Sequence, residues 1–275
     1  MVVDQPIVIL GASGFIGSHL LRYLQAQGIP CEAPAREDTS WLRRRLGHVV
    51  YAIGLTADFR IHPLETVEAH VCLLRHLLAL GDFVSLTYLS STRVYSGAAS
   101  TSESGSLRVD PNNLSDLYNL SKLMGESLCL HGGHPCARVV RLSNIVGLRN
   151  DPDIFIDQLL DEGMRTGHVH LRTALNSAKD YLWVEDAVAL LARIAQSGCS
   201  GIFNVASGEA VQNAQIVAAL QREMGFSVSV SDAAPIWEFS EIDMRRTLAN
   251  FPFEPRRFDS YFPDFLRLYR RQKGF

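Results

Sequence analysis

A short apolar run, Pro6-Ile-Val-Ile-Leu10, ends in Gly11-Ala-Ser-Gly14-Phe-Ile-Gly17, and the spacing of Phe15, Ile16, Leu20, Leu21 and Leu24 carries on as a helix. A strand that turns on glycines into a helix aims free backbone N–H groups and the positive end of the helix dipole at one point, where a pyrophosphate binds. Glycines also serve ordinary tight turns, through positive φ or close packing, so the pattern alone is weak. Its position between a strand and a helix favours a dinucleotide site over that plainer reading.

The rest of the chain continues the alternation. Strand-like stretches at 7–10, 30–35, 49–53, 83–90, 137–142 and 201–206 are separated by helical patterns at 15–27, 64–79, 114–130, 155–167, 184–196 and 214–224. Crossover helices returning to start each next strand imply a parallel sheet covered on both faces, an α/β doubly wound Rossmann fold. With 275 residues, 47% hydrophobic and 20% charged, the chain can bury a full core and carry an appended lobe. The expected division is a nucleotide-binding domain of 1–148 with 177–208, and a smaller C-terminal substrate lobe of 149–176 with 209–275. The stretch 96–113, rich in Ser, Thr, Gly and Asn, reads as a loop flanking the site.

Charge and cysteine usage narrow the partners. A net charge of −3 offers no electrostatic reason to expect nucleic acid or an anionic membrane. The start, Met1-Val-Val-Asp-Gln5, has neither a basic leader nor a cleavage site, and no apolar run approaches the ~20 residues of a membrane span, so a cytoplasmic protein is expected. The five cysteines are an odd number and widely spread, which fits reduced thiols.

Tyr118 and Lys122 stand four apart in a helical stretch, on one face one turn apart. An ammonium beside a phenol stabilises the phenolate, which makes Tyr118 a usable acid or base near neutral pH. Upstream, the run ending Tyr88-Leu-Ser90-Ser91-Thr92 delivers hydroxyls at the carboxyl end of a strand, the edge where open α/β sheets bind ligands. The plainer reading of Tyr118 and Lys122, a surface helix pair, loses ground once the glycine turn and the strand-end serines occur in that order.

With these residues in place the chain resembles the extended short-chain dehydrogenase/reductase family, the branch that contains nucleotide-sugar epimerases, dehydratases and 4-keto reductases. The resemblance rests on Gly11–Gly17, Ser90-Ser91-Thr92-Arg93-Val94-Tyr95, Tyr118–Lys122, Arg141-Leu-Ser-Asn144-Ile-Val-Gly147, Lys179-Asp180-Tyr181-Leu-Trp-Val184-Glu185-Asp186 and Phe203-Asn204-Val205-Ala-Ser-Gly208. It implies that Ser91 is the catalytic hydroxyl, Tyr118 the general acid/base, and Lys122 the residue that holds the nicotinamide ribose and tunes Tyr118. It further implies a cofactor shell of Gly11, Ser13, Gly14, Phe15, Ile16, Gly17, Arg36, Ala52, Ile53, Gly54, Ser143 and Ile145. Asn144 matches a position that contacts sugar-nucleotide phosphates, and Thr56, Thr92, Arg93, Arg172 and Arg245 complete the expected substrate set.

The departures from the family pattern carry chemistry. Where NAD-using members place an acid for the adenosine ribose, this chain has Ala35 followed by Arg36, which favours a 2′-phosphate and therefore NADP, with NAD as the alternative if Glu32, Glu37 or Asp38 fills that role. Family dehydratases follow the catalytic hydroxyl with Asp-Glu. Here Thr92-Arg93 follow Ser91, which speaks against dehydration, and Arg93 reads as a substrate contact or as a solvated rim residue.

Two stretches take the plainer reading. Cys129-Leu-His131-Gly-Gly-His134-Pro-Cys136 matches no usual ligand spacing and reads as a helix-ending turn, so no metal is expected. The basic, aromatic tail has Phe262, Phe265, Leu266 and Tyr269 at helical spacing and reads as a docked amphipathic helix.

The expected activity is NADPH-dependent reduction of a nucleotide-linked keto-sugar, with Tyr118 delivering a proton to the substrate oxygen that Ser91 holds. An NAD-retaining epimerase would use the same three residues, and a non-catalytic nucleotide-binding or scaffold protein would have no use for the acid. The resemblance also implies a homodimer joined through the helices at 64–79 and 118–130, where Val71, Leu74, Leu77, Leu78, Leu120, Leu123, Met124 and Leu128 spread apolar groups over more than one face.

Overall fold

The computed structural model describes residues 5–55, 58–149, 154–237 and 239–274. The chain begins β1 (Ile7–Leu10), α1 (Phe15–Ala26), β2 (Cys31–Glu32), β3 (Arg45–Tyr51), α2 (Pro63–Val67), a π-helical turn (Glu68–Cys72), α3 (Leu73–Leu80), β4 (Asp82–Ser91), α4 (Asp116–His131) and β5 (Ala137–Leu142). It continues β6 (Asn144–Val146), α5 (Phe155–Thr166), β7 (His168–Leu171), β8 (Ala178–Trp183), α6 (Val184–Gln196) and β9 (Gly201–Val205). The remaining elements are β10 (Ala210–Gln212), α7 (Asn213–Met224), β11 (Ser227–Val230), α8 (Arg245–Asn250) and α9 (Phe258–Gln272).

Two compact units share these elements. The first takes the chain up to Leu142, then Val184–Val205 and Met244–Phe253; the second takes Ser143–Trp183, Ala206–Asp243 and the chain from Glu254. The first unit is built on a six-stranded parallel sheet in the order β2-β1-β3-β4-β5-β9. Its inner strands are buried without alternation, as β1 and β5 show with every residue buried, because helices cover both faces. The register sets Leu10 beside Tyr51, Tyr51 beside Tyr88, and Ser91 beside Leu142. The carboxyl ends of β1, β3 and β4, each followed by a site loop, therefore lie along one edge of the sheet.

The core of this unit gathers Leu10, Val49 and Leu86 from the strands with Leu74, Leu77 and Leu78 from α3. The sequence reads 64–79 as one uninterrupted helix; the structure breaks it with the π turn, which inserts an extra residue per turn and carries His70 into the interior. The strand expected over 30–35 stops at Glu32, because the chain turns at Ala35, whose carbonyl accepts the Asp38 N–H at 3.1 Å.

In the second unit β6 runs parallel to β8 and β10 antiparallel to it, while β7 pairs in parallel with β11. These short strands were not expected from the sequence. The tail forms α9, which buries Phe258, Tyr261, Phe262, Phe265, Leu266 and Tyr269, packs the Tyr261 ring at a tilt against Trp183 of β8, and leaves Arg267, Arg270 and Arg271 exposed. Among the described residues no helix is long and apolar enough to cross a membrane.

Candidate active site

Gly11 leaves β1 at φ +91°, a conformation that favours glycine, and a Cβ there would stand 2.8 Å from the Ala52 carbonyl at the end of β3. A Cβ on Gly17 would come 2.3 Å from the Gly11 carbonyl oxygen. Both glycines are thus demanded by packing of the turn itself. Gly14 caps α1 in an extended conformation with no side-chain cap, and Ser13 and Gly14 are exposed, so the positive end of the helix faces outward. Phe15 and Ile16 begin the helix half-buried, and Ala52, Ile53 and Gly54 continue from β3 beside the turn.

Gly54 connects this turn to the second constellation. A Cβ on it would approach His70 Nε2 to 2.9 Å and Lys122 Nζ to 3.3 Å. Lys122 is buried on α4, donates to the Leu89 carbonyl of β4 at 2.9 Å, and its Nζ stands 5.8 Å from the centroid of the Tyr118 ring. Burial pushes the Lys122 ammonium down to about 7, against the pull of Glu126 one turn further along the helix.

Ser91 ends β4. Its hydroxyl accepts the Arg93 N–H at 3.2 Å, capping the turn 92–95, and hydrogen-bonds Tyr118. Burial raises the Tyr118 phenol, while the Ser91 hydrogen bond and the Arg93 charge pull it back. The sequence reading assigns that lowering to Lys122. In the structure Ser91 and Arg93 oppose the rise, and burial still wins because the ring is enclosed by Phe59 at 5.4 Å and His70 at 5.4 Å. Sheet edge and helix face together place one hydroxyl, one phenol and one amine where a proton can be passed to or taken from a bound oxygen.

His70, Phe59 and the groups behind α4 carry no local sequence signal. His70 Nδ1 lies 2.8 Å from Ser121 Oγ, and its Nε2 accepts the Leu55 N–H at 3.3 Å, which fixes the neutral ring against the loop after β3. Burial, then the Lys122 charge, pushes the imidazole down to about 2. Tyr88 donates to the His70 carbonyl at 3.2 Å, and a Cβ on Gly125 would strike the Tyr88 hydroxyl at 2.4 Å, so α4 reaches β4 only because position 125 is glycine.

The remaining expected residues fall as follows. Thr92 is buried and Arg93 half-buried in the turn after β4. Thr56 lies outside the described residues. Arg36 is exposed and without an ion pair or hydrogen bond among the described residues, while Glu32 is engaged by Arg44. Ser143, Asn144 and Ile145 belong to the second unit, where Asn144 Nδ2 donates to the Asp180 carbonyl at 2.8 Å and ties β6 to β8. Arg172 is exposed just past β7, and Arg245 is exposed at the start of α8 in the first unit.

Residues 7–206 match the model of the NAD dependent epimerase/dehydratase family, and the chain belongs to that family. It is an NAD(P)-dependent enzyme of the oxidoreductase/epimerase kind. A GDP-6-deoxy-D-mannose reductase from Pseudomonas aeruginosa is 26% identical over 234 residues, covering 75% of this chain and 76% of that protein. The structure of MoeE5 in complex with UDP-glucose and NAD shares the fold with a TM-score of 0.80 at 19% identity, over 98% of this chain and 100% of that one. The structure of RMD from Pseudomonas aeruginosa complexed with NADPH does so with a TM-score of 0.73 at 21% identity, over 96% and 97%. The residues present fit the cofactor: Gly11 and Gly17 leave no room for a Cβ, and Gly14 leaves the α1 N-terminus uncapped for a pyrophosphate.

Proposed function

We propose that the protein is an NADPH-dependent reductase of a nucleotide-linked keto-sugar of the 4-keto-hexose type. The observation that carries this reading is the buried Tyr118 hydroxyl hydrogen-bonded to Ser91, with Lys122 behind it. Ser91 holds the substrate's carbonyl oxygen, and Tyr118 delivers a proton to it. When bound, the nicotinamide supplies the hydride. Lys122, its Nζ 5.8 Å from the centroid of the Tyr118 ring, would hold the cofactor ribose. Gly11, Ser13, Gly14, Phe15, Ile16 and Gly17 would receive the pyrophosphate, Ala52, Ile53 and Gly54 would line the cofactor, and Ser143 and Ile145 would meet its nicotinamide end.

Thr92 and Arg93 occupy the positions where a dehydratase of this family carries Asp-Glu, so no carboxylates follow Ser91 to protonate a leaving group or take a carbon-bound proton. The curated relative named as a reductase supports the same direction. NADPH is favoured over NADH because Arg36 is exposed at the turn after β2, and the carboxylate of Glu32 is engaged by Arg44. The sugar nucleotide is assigned to Thr92, Arg93, Asn144, Arg172 and Arg245. A homodimer belongs to this reading, formed through α2 and α4, where Leu64 and Met124 are exposed.

The test is turnover. Incubated with NADPH and a nucleotide-linked 4-keto-hexose, the protein is expected to oxidise one NADPH per sugar and yield a product two mass units heavier. Interconversion of sugar epimers with no net NADPH consumption would replace this reading with an NAD-retaining epimerase.

A further inference from the structure

Two guanidinium groups converge on one ring beside Tyr118. Arg60 Cζ stands 4.5 Å and Arg93 Cζ 5.0 Å from the centroid of Phe59, which is itself buried against Tyr118. Arg93 Cζ is also 5.6 Å from the Tyr118 ring centroid. Both arginines reach the same residue: Arg60 Nη2 donates to Ser115 Oγ at 3.0 Å, and Arg93 Nη2 donates to the Ser115 carbonyl at 3.4 Å. Ser115 is the N-cap of α4, so two cations are held at the positive end of a sixteen-residue helix.

Nothing among the described residues forms an ion pair with either arginine. Asp116, whose charge acts on Arg93, has one carboxylate oxygen on the Asp110 N–H and the other on the Asn119 amide, each at 2.9 Å. Arg93 is half-buried and feels the repulsion of Arg60, so burial and a like charge both hold its pKa below the usual arginine value. A half-buried guanidinium with one long hydrogen bond and a second guanidinium beside it is a poor arrangement for an empty surface and a good one for binding an oxyanion, whose oxygens accept from two forks. The faces of both cations lie on Phe59, which leaves their N–H edges for a ligand.

We propose that Arg60 and Arg93 form a receptor for an anionic oxygen group of the substrate, a carboxylate or a phosphate, close to the hydroxyl of Tyr118. The proposal rests on Tyr118 being the proton-transferring group of a nucleotide-sugar enzyme. It adds that the substrate carries negative charge near its reacting carbon, and it gives a role to Arg60, which no local pattern in the sequence singles out.

The test is isothermal titration of the NADP-loaded full chain with UDP, UDP-glucose and UDP-glucuronate, and with GDP, GDP-mannose and GDP-mannuronate. Wild type is compared with Arg93→Gln and with Arg60→Gln, whose exposed site leaves the core untouched. If the anion is a sugar carboxylate, the uronate binds wild type at least about tenfold tighter than its neutral partner, and both substitutions erase that preference. If it is a phosphate, every ligand of the accepted nucleotide weakens about tenfold in both variants and the sugar makes no difference. Unchanged dissociation constants in a folded Arg60→Gln and Arg93→Gln would overturn the receptor while leaving the nucleotide-sugar reading intact. Failure of wild type to bind any of the six would overturn both.

Discussion

Glu126 and Arg141 face each other in a closed ion pair, Nε to Oε1 at 3.0 Å and Nη2 to Oε2 at 2.6 Å, with side chains 4% and 3% exposed. Ser90 donates to the same Glu126 oxygen that takes Nε, and Arg141 Nη1 donates to the Tyr95 hydroxyl, which in turn donates to Asn204. The pair locks α4 to β5 one turn beyond Lys122, so the face that presents Tyr118 and Lys122 is set by a charge network that never reaches the reacting atoms. Arg141→Met leaves the Glu126 carboxylate buried and unpaired, with an expected loss of about 3–5 kcal/mol in urea denaturation. Arg141→Met combined with Glu126→Leu removes both charges and is expected to recover most of that loss. A double variant no more stable than the single one would show that packing at Arg141, rather than stranded charge, sets the cost.

Tyr118→Phe keeps the ring between Phe59 and His70 and removes only the transferable proton. Turnover is expected to fall roughly 10²–10⁴-fold with cofactor affinity little changed, whereas Lys122→Met damages both. Near-full activity in Tyr118→Phe would remove that residue from the chemistry.

The parts of the site that could be read from the sequence are those in which one local pattern is sufficient. The Gly11–Gly17 turn is such a case, because strand, turn and helix follow one another without a gap, and so are Tyr118 and Lys122, joined by the pitch of a single helix. Phe59, Arg60 and His70 lie on elements distant in sequence from α4 and meet it only after the sheet has formed. The π turn leaves no trace in the apolar spacing, since Leu74, Leu77 and Leu78 still face the core after it. In the second unit, β6, β7, β10 and β11 are three or four residues long, too short for alternation to be distinguished from a loop.

His70 supplies a pH signature. The folded chain keeps its imidazole neutral down to about 2, whereas an unfolded imidazole takes a proton near 6.5. As pH falls through 6.5 the unfolded state gains a proton that the native state refuses, so stability drains away progressively toward pH 2. His70→Asn has no such group to protonate. Its stability deficit relative to wild type at pH 7.5 is expected to shrink by about 2 kcal/mol at pH 5, read from urea denaturation at both values. A deficit that stays constant would mean that the ring is protonated in the fold.

Arg36 decides the cofactor in this reading. Direct titration is expected to give tighter binding of NADPH than NADH, and Arg36→Ala to narrow the gap by about 1.5–3 kcal/mol through loss of a charge-assisted pair to the 2′-phosphate. Equal affinity for the two cofactors in the unmutated protein would return the preference to NAD.

The proposed dimer changes its basis once the structure is known. The sequence expectation counts Leu74, Leu77 and Leu78 as apolar surplus that a partner must cover, yet all three belong to the core of the first unit, under α3. Leu77→Glu would therefore unfold the chain rather than separate two chains. Among the apolar side chains these helices leave exposed are Leu64 at 80% on α2 and Met124 at 54% on α4, with Leu80 on α3 and Leu130 on α4; α2 packs against α4, so Leu64 and Met124 belong to one helical layer. Charges placed there meet their own copies across a two-fold interface without entering any core. Leu64→Glu with Met124→Glu is expected to give monomers by light scattering with thermal stability of each chain retained. A monomeric mass for the unmutated protein at micromolar concentration would refute the dimer, and a dimer that survives both charges would move its interface to another face.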